Sequence, residues 1–195
     1  MSDVYQERYI AHQKRKKESL ISSFGTTKFK TYNSKVFDTV LEVFKNRRSQ
    51  RFYSGEVSSQ ELEKLMSIIR TMPSSCDRKP IFISCIESRD SKALLGGLLV
   101  GGVGWVHRSD KIILLFADMT AYKNPAERDN MPYLDAGVCI QSLYIGAEAL
   151  NIGGCYVNPN IREENKDIFN KRFNPKGDLF CGAFAIGKYN KKAIK

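Results

Sequence analysis

Apolar residues at helical spacing mark the first half of the chain. The segment NSKVFDTVLEVFKN, residues 33–46, predicts an amphipathic helix for which Asn33 or Ser34 is a suitable N-cap. Its apolar positions are Val36, Phe37, Val40, Leu41 and Phe44.

A second helix is predicted in the segment VSSQELEKLMSIIRTMP, residues 57–73. Ser58 and Glu61 have the spacing of a capping box, and Pro73 marks the end of the helix. Its predicted buried residues are Leu62, Leu65, Met66 and Ile69.

Strand patterns dominate the remainder of the chain, interrupted by helices. The predicted strands are IFISCIES (81–88), DKIILLFAD (110–118), CYVNP (155–159) and DLFCGAFAIGKY (178–189). The segment REENKDIFNKRF, residues 162–173, predicts a surface helix. Helices first, then strands mixed with helices, favours an α+β fold.

One further helix is predicted to lie in the middle of the domain. PYLDAGVCIQSLYIGAEALNIGG, residues 132–154, is apolar almost all round, with Asp135 and Glu148 as its only charges. Gly153 is the predicted C-terminal stop. We expect the sheet to pack against this central helix.

The glycine-rich stretch at residues 94–105 is ambiguous between helix and loop. GGLLVGGVG, residues 96–104, lacks the Lys-Ser/Thr of a P-loop, and no helix-opening GxGxxG follows a clear strand. A tight loop or packed backbone is therefore favoured over a phosphate-binding loop.

The length of 195 residues suits one globular domain with an extension. We predict a basic amphipathic extension at residues 1–31 and a domain at 32–195. The net charge of +10 and the sequence pI of about 9.4 favour an anionic partner, which could be nucleic acid, an anionic surface or a phosphorylated cofactor. For the extension, a solvated helix is favoured over a nucleic-acid arm.

Cysteine and histidine usage argues against a metal site. The five cysteines are widely spaced without a CxxC pair, and there are only two histidines, so we expect free thiols in a reducing compartment and no zinc site.

The amino terminus lacks a secretory apolar core, and the run ALLGGLLVGGVGWV is too short to span a bilayer. We expect a cytoplasmic protein with no membrane partner. Hydrolase motifs such as GxSxG are also missing from the sequence.

The stretch NRRSQRFYSGEV, between the first two predicted helices, places cationic and hydroxyl side chains at alternate positions. In an extended chain Arg47, Ser49 and Arg51 share one side, while Arg48 and Gln50 share the other. Guanidinium groups and a hydroxyl suit phosphate oxygens. The alternative is a solvated basic turn after a helix, and spacing alone does not decide between them.

Three motifs resemble the FMN-dependent nitroreductase family over roughly residues 36–190. RRSQRFYSGEVSSQELEKLMSIIRTMPSS resembles the opening of the family, LDAGVCIQSLYIGAEALNIGGCYV its central helix and glycine turn, and FCGAFAIGKY its closing strand. Their order and spacing also agree with the family. The resemblance implies a nitroreductase-like NAD(P)H:flavin oxidoreductase fold of the α+β class. That fold has three layers, with a mixed or antiparallel sheet on a long central helix, in an intertwined homodimer.

The resemblance also implies an FMN site that begins in the first motif. Arg47, Arg48 and Ser49 would hold the FMN phosphate. Arg51 would lie near the pyrimidine edge of the flavin, where a positive charge stabilises the anionic reduced ring.

Two later motifs would contribute to the same site. By the resemblance, Pro73, Ser74 and Ser75 would wall the isoalloxazine, usually from the partner subunit. Gly153 and Gly154 would let the backbone approach the reactive edge of the ring, since no Cβ stands in the way.

The chain departs from the family after the paired serines. Where the family commonly has Asn-x-Gln-Pro-Trp, this chain has Asp77 and Lys79 at the first and third positions. Asp77 loses an amide donor and brings negative charge near the flavin, so it either pairs with Arg78 or Lys79 or the local contacts are rearranged. Lys191 and Lys192 match the family's basic residue after the last strand only loosely, and a solvated tail is the favoured interpretation.

The implied function is ping-pong hydride transfer from NADH or NADPH to FMN and on to a small acceptor, such as a nitro compound or quinone. No catalytic side chain is required, because the flavin carries the chemistry. The segment between the first two strands is short. The family's substrate-lining helices are therefore either missing or replaced by the region around Trp105, and the acceptor does not follow from the resemblance.

Two alternatives remain open at this stage. The first is a protein of the same fold with weak or no flavin binding. The second is a polyanion or nucleic-acid binder that uses residues 1–31 together with the basic stretch, with affinity that falls steeply with salt. Nucleic acid is the less favoured partner, because the remaining basic residues are spread along the chain and the apolar central helix suggests an enzyme-like core.

Overall fold

The structure is a computed structural model that describes residues 3–24 and 33–190. These residues fall into two compact units that divide between Asp38 and Thr39. The predicted domain boundary at residues 31 and 32 lies outside the described residues and stays a prediction, as do the roles of Lys191 and Lys192.

The described residues form helices and strands in an order close to the one predicted. The α-helices are α1 (Asp3–Phe24), α2 (Ser34–Asn46), α3 (Ser59–Thr71), α4 (Arg89–Leu98), α5 (Pro125–Arg128), α6 (Met131–Ala149) and α7 (Lys166–Phe173). The strands are β1 (Ile81–Ile86), β2 (Lys111–Ala117), β3 (Gly153–Val157) and β4 (Leu179–Gly187).

The four strands make one antiparallel sheet in the order β1-β2-β4-β3. Both of its faces are covered, as the alternation along β2 demonstrates. Ile113 and Leu115 belong to the core shared with α3 and α6, while Ile112 and Leu114 belong to the core on the α4 and α7 side. The result is a three-layer α+β fold, as predicted.

The predicted starts of α2 and α3 are confirmed. The Asn33 side chain accepts a hydrogen bond from the Val36 amide at the start of α2. Ser58 and Glu61 form the complete capping box of α3, each accepting a backbone N–H of the other.

The predicted stop of the central helix is wrong by four residues. Helix α6 ends at Ala149, where the Asn151 amide donates to the Glu148 carbonyl and the Ile152 amide to the Ala147 carbonyl. This is a Schellman motif, with Asn151 in the left-handed region at φ 54°. Asparagine tolerates that conformation, so Gly153 is left to open β3.

The glycine-rich stretch divides into two conformations. Its first part completes α4, and the remainder folds as two short 3₁₀ turns, Val100–Gly102 and Val106–Arg108. This agrees with packed backbone and a tight turn. None of the described helices is both long and apolar enough to cross a membrane. All five cysteines are free thiols, three of them buried: Cys139, Cys155 and Cys181.

Candidate functional site

The alternating basic stretch leaves α2 and runs beside β3. Ser49 forms a parallel bridge with Gly154, and the Gln50 amide donates to the Gly154 carbonyl at 2.9 Å. The backbone is thereby held extended, which gives the stretch the two-sided arrangement predicted from its spacing. We call Arg47, Ser49 and Arg51 the arginine comb.

All three comb residues contact aromatic side chains. The Arg47 Cζ atom lies 4.8 Å from the ring centroid of Tyr144, and the Arg51 Cζ atom lies 5.7 Å from that of Trp105. Between them the Ser49 and Tyr144 hydroxyl oxygens are 3.1 Å apart. The comb therefore lies on one side of the chain, with an aromatic ring under each guanidinium.

Tyr144 can direct its hydroxyl proton toward Ser49. Its oxygen accepts a hydrogen bond from the Tyr156 amide at 2.9 Å, so its own proton is available for donation to Ser49. With the phenol as donor, the Ser49 hydroxyl can donate to a bound oxyanion.

The comb arginines carry no carboxylate partner in the part of the chain that the structure describes. Across residues 33–190, no salt bridge involves Arg47 or Arg51, whereas Arg70 and Arg78 are paired with glutamates. Burial raises the pKa of the nearby Cys155 thiol, and the Arg51 charge partly opposes that effect. Two stacked, unneutralised guanidinium groups flanking a hydroxyl form a site suited to an anion.

The structure does not bring Arg48 to the same side. Its guanidinium donates to the backbone carbonyls of Lys45 and Arg47 at 2.6 and 2.8 Å. Together with the buried Gln50 it lines a separate cleft of about 390 Å³ that also includes Glu148. Arg48 thus contacts the last turn of α2 rather than the comb.

The loop at residues 73–79, which we call the serine loop, is organised by the buried carboxylate of Asp135, which is 4% exposed. One carboxylate oxygen accepts from the Ser75 amide at 2.8 Å and the Ser75 hydroxyl at 3.0 Å. The other accepts from the Tyr122 hydroxyl at 2.8 Å. Burial and this hydrogen bond raise the pKa of Tyr122.

The departure at Asp77 is resolved by a local ion pair. Asp77 lies 2.6 Å from the Lys79 ammonium, which also donates to the Met72 carbonyl. Of the two predicted partners, Lys79 is the one that pairs, and Arg78 binds Glu127 instead. Positive φ angles at Asp77 and Lys79, 56° and 51°, accompany the rearranged loop.

The arginine comb and the serine loop lie in separate places within one chain. Tyr144 supports the comb and Asp135 holds the serine loop, and both belong to α6. Nine residues of helix separate them, or about 13 Å along the axis. The sequence-predicted site is therefore divided between two regions of the chain.

The two adjacent glycines are required by packing within the chain. A Cβ on Gly153 would lie 2.8 Å from Gln50 Cγ, and one on Gly154 would lie 2.5 Å from the Phe184 ring. The close approach of Gln50 places the comb backbone against β3, so Gly153 and Gly154 contribute to the site by positioning it.

Sequence reasoning gave no role at the site to Tyr144, Tyr122 or Asp135. The role of Asp135 could have been predicted, because an acidic residue in an otherwise apolar helix needs a hydrogen-bonding partner when it is buried. Tyr144 carried no such signal, because its ring meets residues 95 positions away in the sequence.

Residues 99–188 match the sequence model of the Nitroreductase family. The matched region includes the central helix and the closing strand, while the comb and the serine loop precede it. No curated protein sequence matches the chain significantly.

Solved structures with the same fold cover more of the chain. A nitroreductase family protein from Clostridium novyi NT has a TM-score of 0.68 and 16% identity, covering 80% of this chain and 88% of the other. A protein proposed to be a nitroreductase, in complex with FMN, from Desulfovibrio desulfuricans has a TM-score of 0.68 and 24% identity, covering 83% and 89%. A protein proposed to be an NADH oxidase, from Clostridium acetobutylicum, has a TM-score of 0.66 and 20% identity, covering 76% and 88%.

These solved structures share the fold of the chain, in agreement with the resemblance noted in the sequence. The family pattern covers the region from the tryptophan-containing turn to the end of the last strand, and the structural likeness extends toward the comb. The chain therefore has the nitroreductase fold and carries the sequence pattern of the nitroreductase family over residues 99–188.

Proposed function

We propose that the protein is an FMN-dependent oxidoreductase that uses NADH or NADPH and a small electron acceptor. The arginine comb carries the proposal. Two guanidinium groups, without carboxylate partners among the described residues, flank a hydroxyl on one side of an extended segment. Such a donor set suits a phosphorylated, electron-rich ligand.

FMN, when bound, would supply hydride transfer between the nicotinamide donor and an acceptor such as a nitro compound or quinone. The residues present fit the cofactor by the chemistry of their donors. Arg47 and Ser49 would hold the phosphate, and Arg51 would place its charge near the pyrimidine edge. Arg48 would join them only after releasing the two backbone carbonyls that it now binds.

The serine loop would complete the site from a second copy of the chain. Within one chain the comb and the loop are held about nine residues apart along α6. In a two-fold dimer, a contact between the loop of one subunit and the comb of its partner is repeated by the symmetry, so two equivalent sites would form. Pro73, Ser74 and Ser75 would then wall the flavin from the partner side.

An apolar surface on α6 suits that interface. Tyr133, Leu134 and Val138 lie on the exposed side of the helix, with Leu134 59% exposed. Further along the same helix, an apolar groove is lined by Phe44 and Ile145, among others. Exposed apolar area of this kind is typical of a protein–protein contact.

The interface is tested by Leu134→Glu, with molar mass measured by size-exclusion chromatography and light scattering. We expect wild type to be a dimer and the variant a monomer that binds FMN far more weakly, because half of each site is lost. Ile168→Glu is the matched control, since Ile168 is an exposed apolar residue on α7. If the Leu134→Glu variant is still a dimer, the interface lies on another surface of the protein.

The cofactor is tested by the visible absorption spectrum of the purified protein. With added FMN we expect a flavin band that saturates near one flavin per subunit. NADH or NADPH added under nitrogen should bleach it.

A colourless protein that does not bind FMN would reject the proposal. The Asp77–Lys79 pair would then be the first explanation for the loss of flavin binding. Binding of a polyanion by the comb would be measured next. Affinity for such a partner would fall steeply with salt.

A further inference from the structure

A glycine-rich turn contacts the outer end of the comb. We call residues 99–108 the tryptophan turn, because they contain Trp105, the single tryptophan of the chain. The Trp105 indole N–H donates to the Gly101 carbonyl at 3.0 Å. Its ring lies beneath the Arg51 guanidinium, with 5.7 Å from the Arg51 Cζ atom to the ring centroid.

Glycines shape the turn so that the indole meets Arg51. Gly104 has φ +81°, a conformation that glycine adopts without strain. A Cβ on Gly102 would lie 2.8 Å from a methyl carbon of Val106. The Trp105 amide donates back to the Gly102 carbonyl at 3.2 Å, closing the turn.

The comb is bridged to β3, and the tryptophan turn is bonded to the segment that follows this strand. The Val100 amide donates to the Asn160 carbonyl, and Leu99 forms a bridge with Ile161, just beyond the end of β3. The comb is bridged to Gly154 near the start of β3. Both contacts are therefore made to one continuous segment, residues 154–161.

Stacking on an aromatic face restrains a guanidinium without using its donors. The N–H groups of arginine lie in the guanidinium plane, so they remain available at its edge while the face is covered. An arginine side chain otherwise loses rotamer freedom when it binds a ligand. The Trp105 ring reduces that loss before any ligand arrives.

We propose that Trp105 is a positioning residue for Arg51, holding its guanidinium where the positive charge favours reduced, anionic flavin over oxidised flavin. The inference rests on the proposed FMN function and adds a determinant of the reduction potential that lies outside the flavin-binding motif.

The test compares Trp105→Leu with Trp105→Phe in the full chain. For each variant the FMN dissociation constant and the two-electron midpoint potential are measured. We expect Trp105→Leu to weaken FMN binding about 5- to 30-fold. We expect it to reduce the preference for reduced flavin about tenfold, which corresponds to a potential about 30 mV more negative. Trp105→Phe keeps an aromatic face and should retain most of both properties.

Two further variants separate positioning from general damage. Val103→Ala lies on the same turn at an exposed position and should leave both quantities unchanged. In an Arg51→Gln background, Trp105→Leu should produce no additional shift in potential, because its effect passes through Arg51. Thermal midpoints of all variants report whether the turn still folds.

The single tryptophan provides a readout without flavin. Arg51→Gln should change the emission of Trp105 in the apoprotein, since the cation over the ring is removed.

Three outcomes would overturn the inference. A Trp105→Leu protein with a wild-type potential would remove the role of the indole while the oxidoreductase function stands. An equal shift in the Arg51→Gln background would show that the indole acts independently of Arg51. A wild-type protein that binds no FMN would reject the proposed function itself, and the role in flavin reduction with it.

Discussion

The comb and the serine loop use charge in opposite ways. In the loop and its surroundings each charged group has a protein partner: Asp77 with Lys79, Arg78 with Glu127, and Asp135 with three donors. In the comb, Arg47 and Arg51 rest on aromatic rings instead of carboxylates. Charges of the first kind maintain structure, and charges of the second kind remain available to a ligand. The difference predicts which substitutions affect folding and which affect binding.

The largest expected effect is on binding, at the comb. Changing Arg47 and Arg51 together to Gln removes two charged hydrogen-bond donors, each worth about 1.5–3 kcal/mol, so FMN affinity should fall more than about 100-fold. Stability should change little, because no carboxylate loses a partner. Fluorescence titration with FMN and thermal melting measure the two effects.

Arg172→Gln supplies the control for charge at the comb, since Arg172 is exposed on α7. It should bind FMN as wild type does. A marked loss of thermal stability in the double comb variant would contradict the division between the two regions.

The next effect is on folding, at the loop. Asp135→Asn keeps the shape of the side chain but cannot accept from all three donors, so one buried donor faces an amide N–H₂ group. We expect a loss of about 2–3 kcal/mol in the free energy of unfolding, measured by urea denaturation. Asp129→Asn, at an exposed position just before α6, is the matched control.

If Asp135→Asn unfolds at the wild-type urea concentration, the carboxylate would not be needed to hold the loop. FMN binding by this variant would then show whether the loop matters to the site at all.

The smallest effect concerns a paired charge with a measurable pH dependence. Hydrogen bonds from Lys188 and then Ser58 lower the pKa of Glu61 from 4.5 to about 2. Between those values the unfolded chain binds more protons than the folded chain, so this contribution to stability is present above about pH 4.5 and is lost as the pH falls toward 2. The thermal midpoint of wild type should therefore exceed that of Glu61→Gln near pH 6 and approach it near pH 2.5.

Glu164→Gln, at an exposed position in the turn before α7, should show no such convergence. A gap between wild type and Glu61→Gln that stays constant from pH 6 to 2.5 would mean that the ion pair with Lys188 contributes nothing in solution.

Local patterns were sufficient to predict much of the fold. The capping box of α3 and the strand at β2 depend on residues close in sequence, and both form as expected. The end of α6 was missed because Leu150 and Ile152 continue the apolar pattern past Ala149. The stop depends on the left-handed conformation of Asn151, which asparagine permits but does not require.

The sequence predicted the part of the site that lies within one continuous segment, the arginine comb, but not the residues that come from elsewhere in the chain. The comb residues alternate along one short segment. An extended backbone was therefore enough to predict that Arg47, Ser49 and Arg51 lie on the same side of the chain. The rings beneath it come from Tyr144 and Trp105, far along the chain, and no periodicity connects them to Arg47 or Arg51. Helix α6 was expected to be buried all round, yet Leu134 is exposed in the single chain. An apolar residue facing a second subunit has the same sequence pattern as one facing the core.

The strand order also has a consequence for how the chain is made. Strand β2 is buried on both faces and pairs with β1 on one side and β4 on the other. During synthesis β1 emerges first and can pair with β2, but β4 is the last described strand to leave the ribosome. Until then the apolar segment Ile112–Ala117 has one edge without its partner, a condition that favours aggregation. Chains interrupted before Leu179 would carry that open edge permanently, so yield in the cell should depend on completing the last strand quickly.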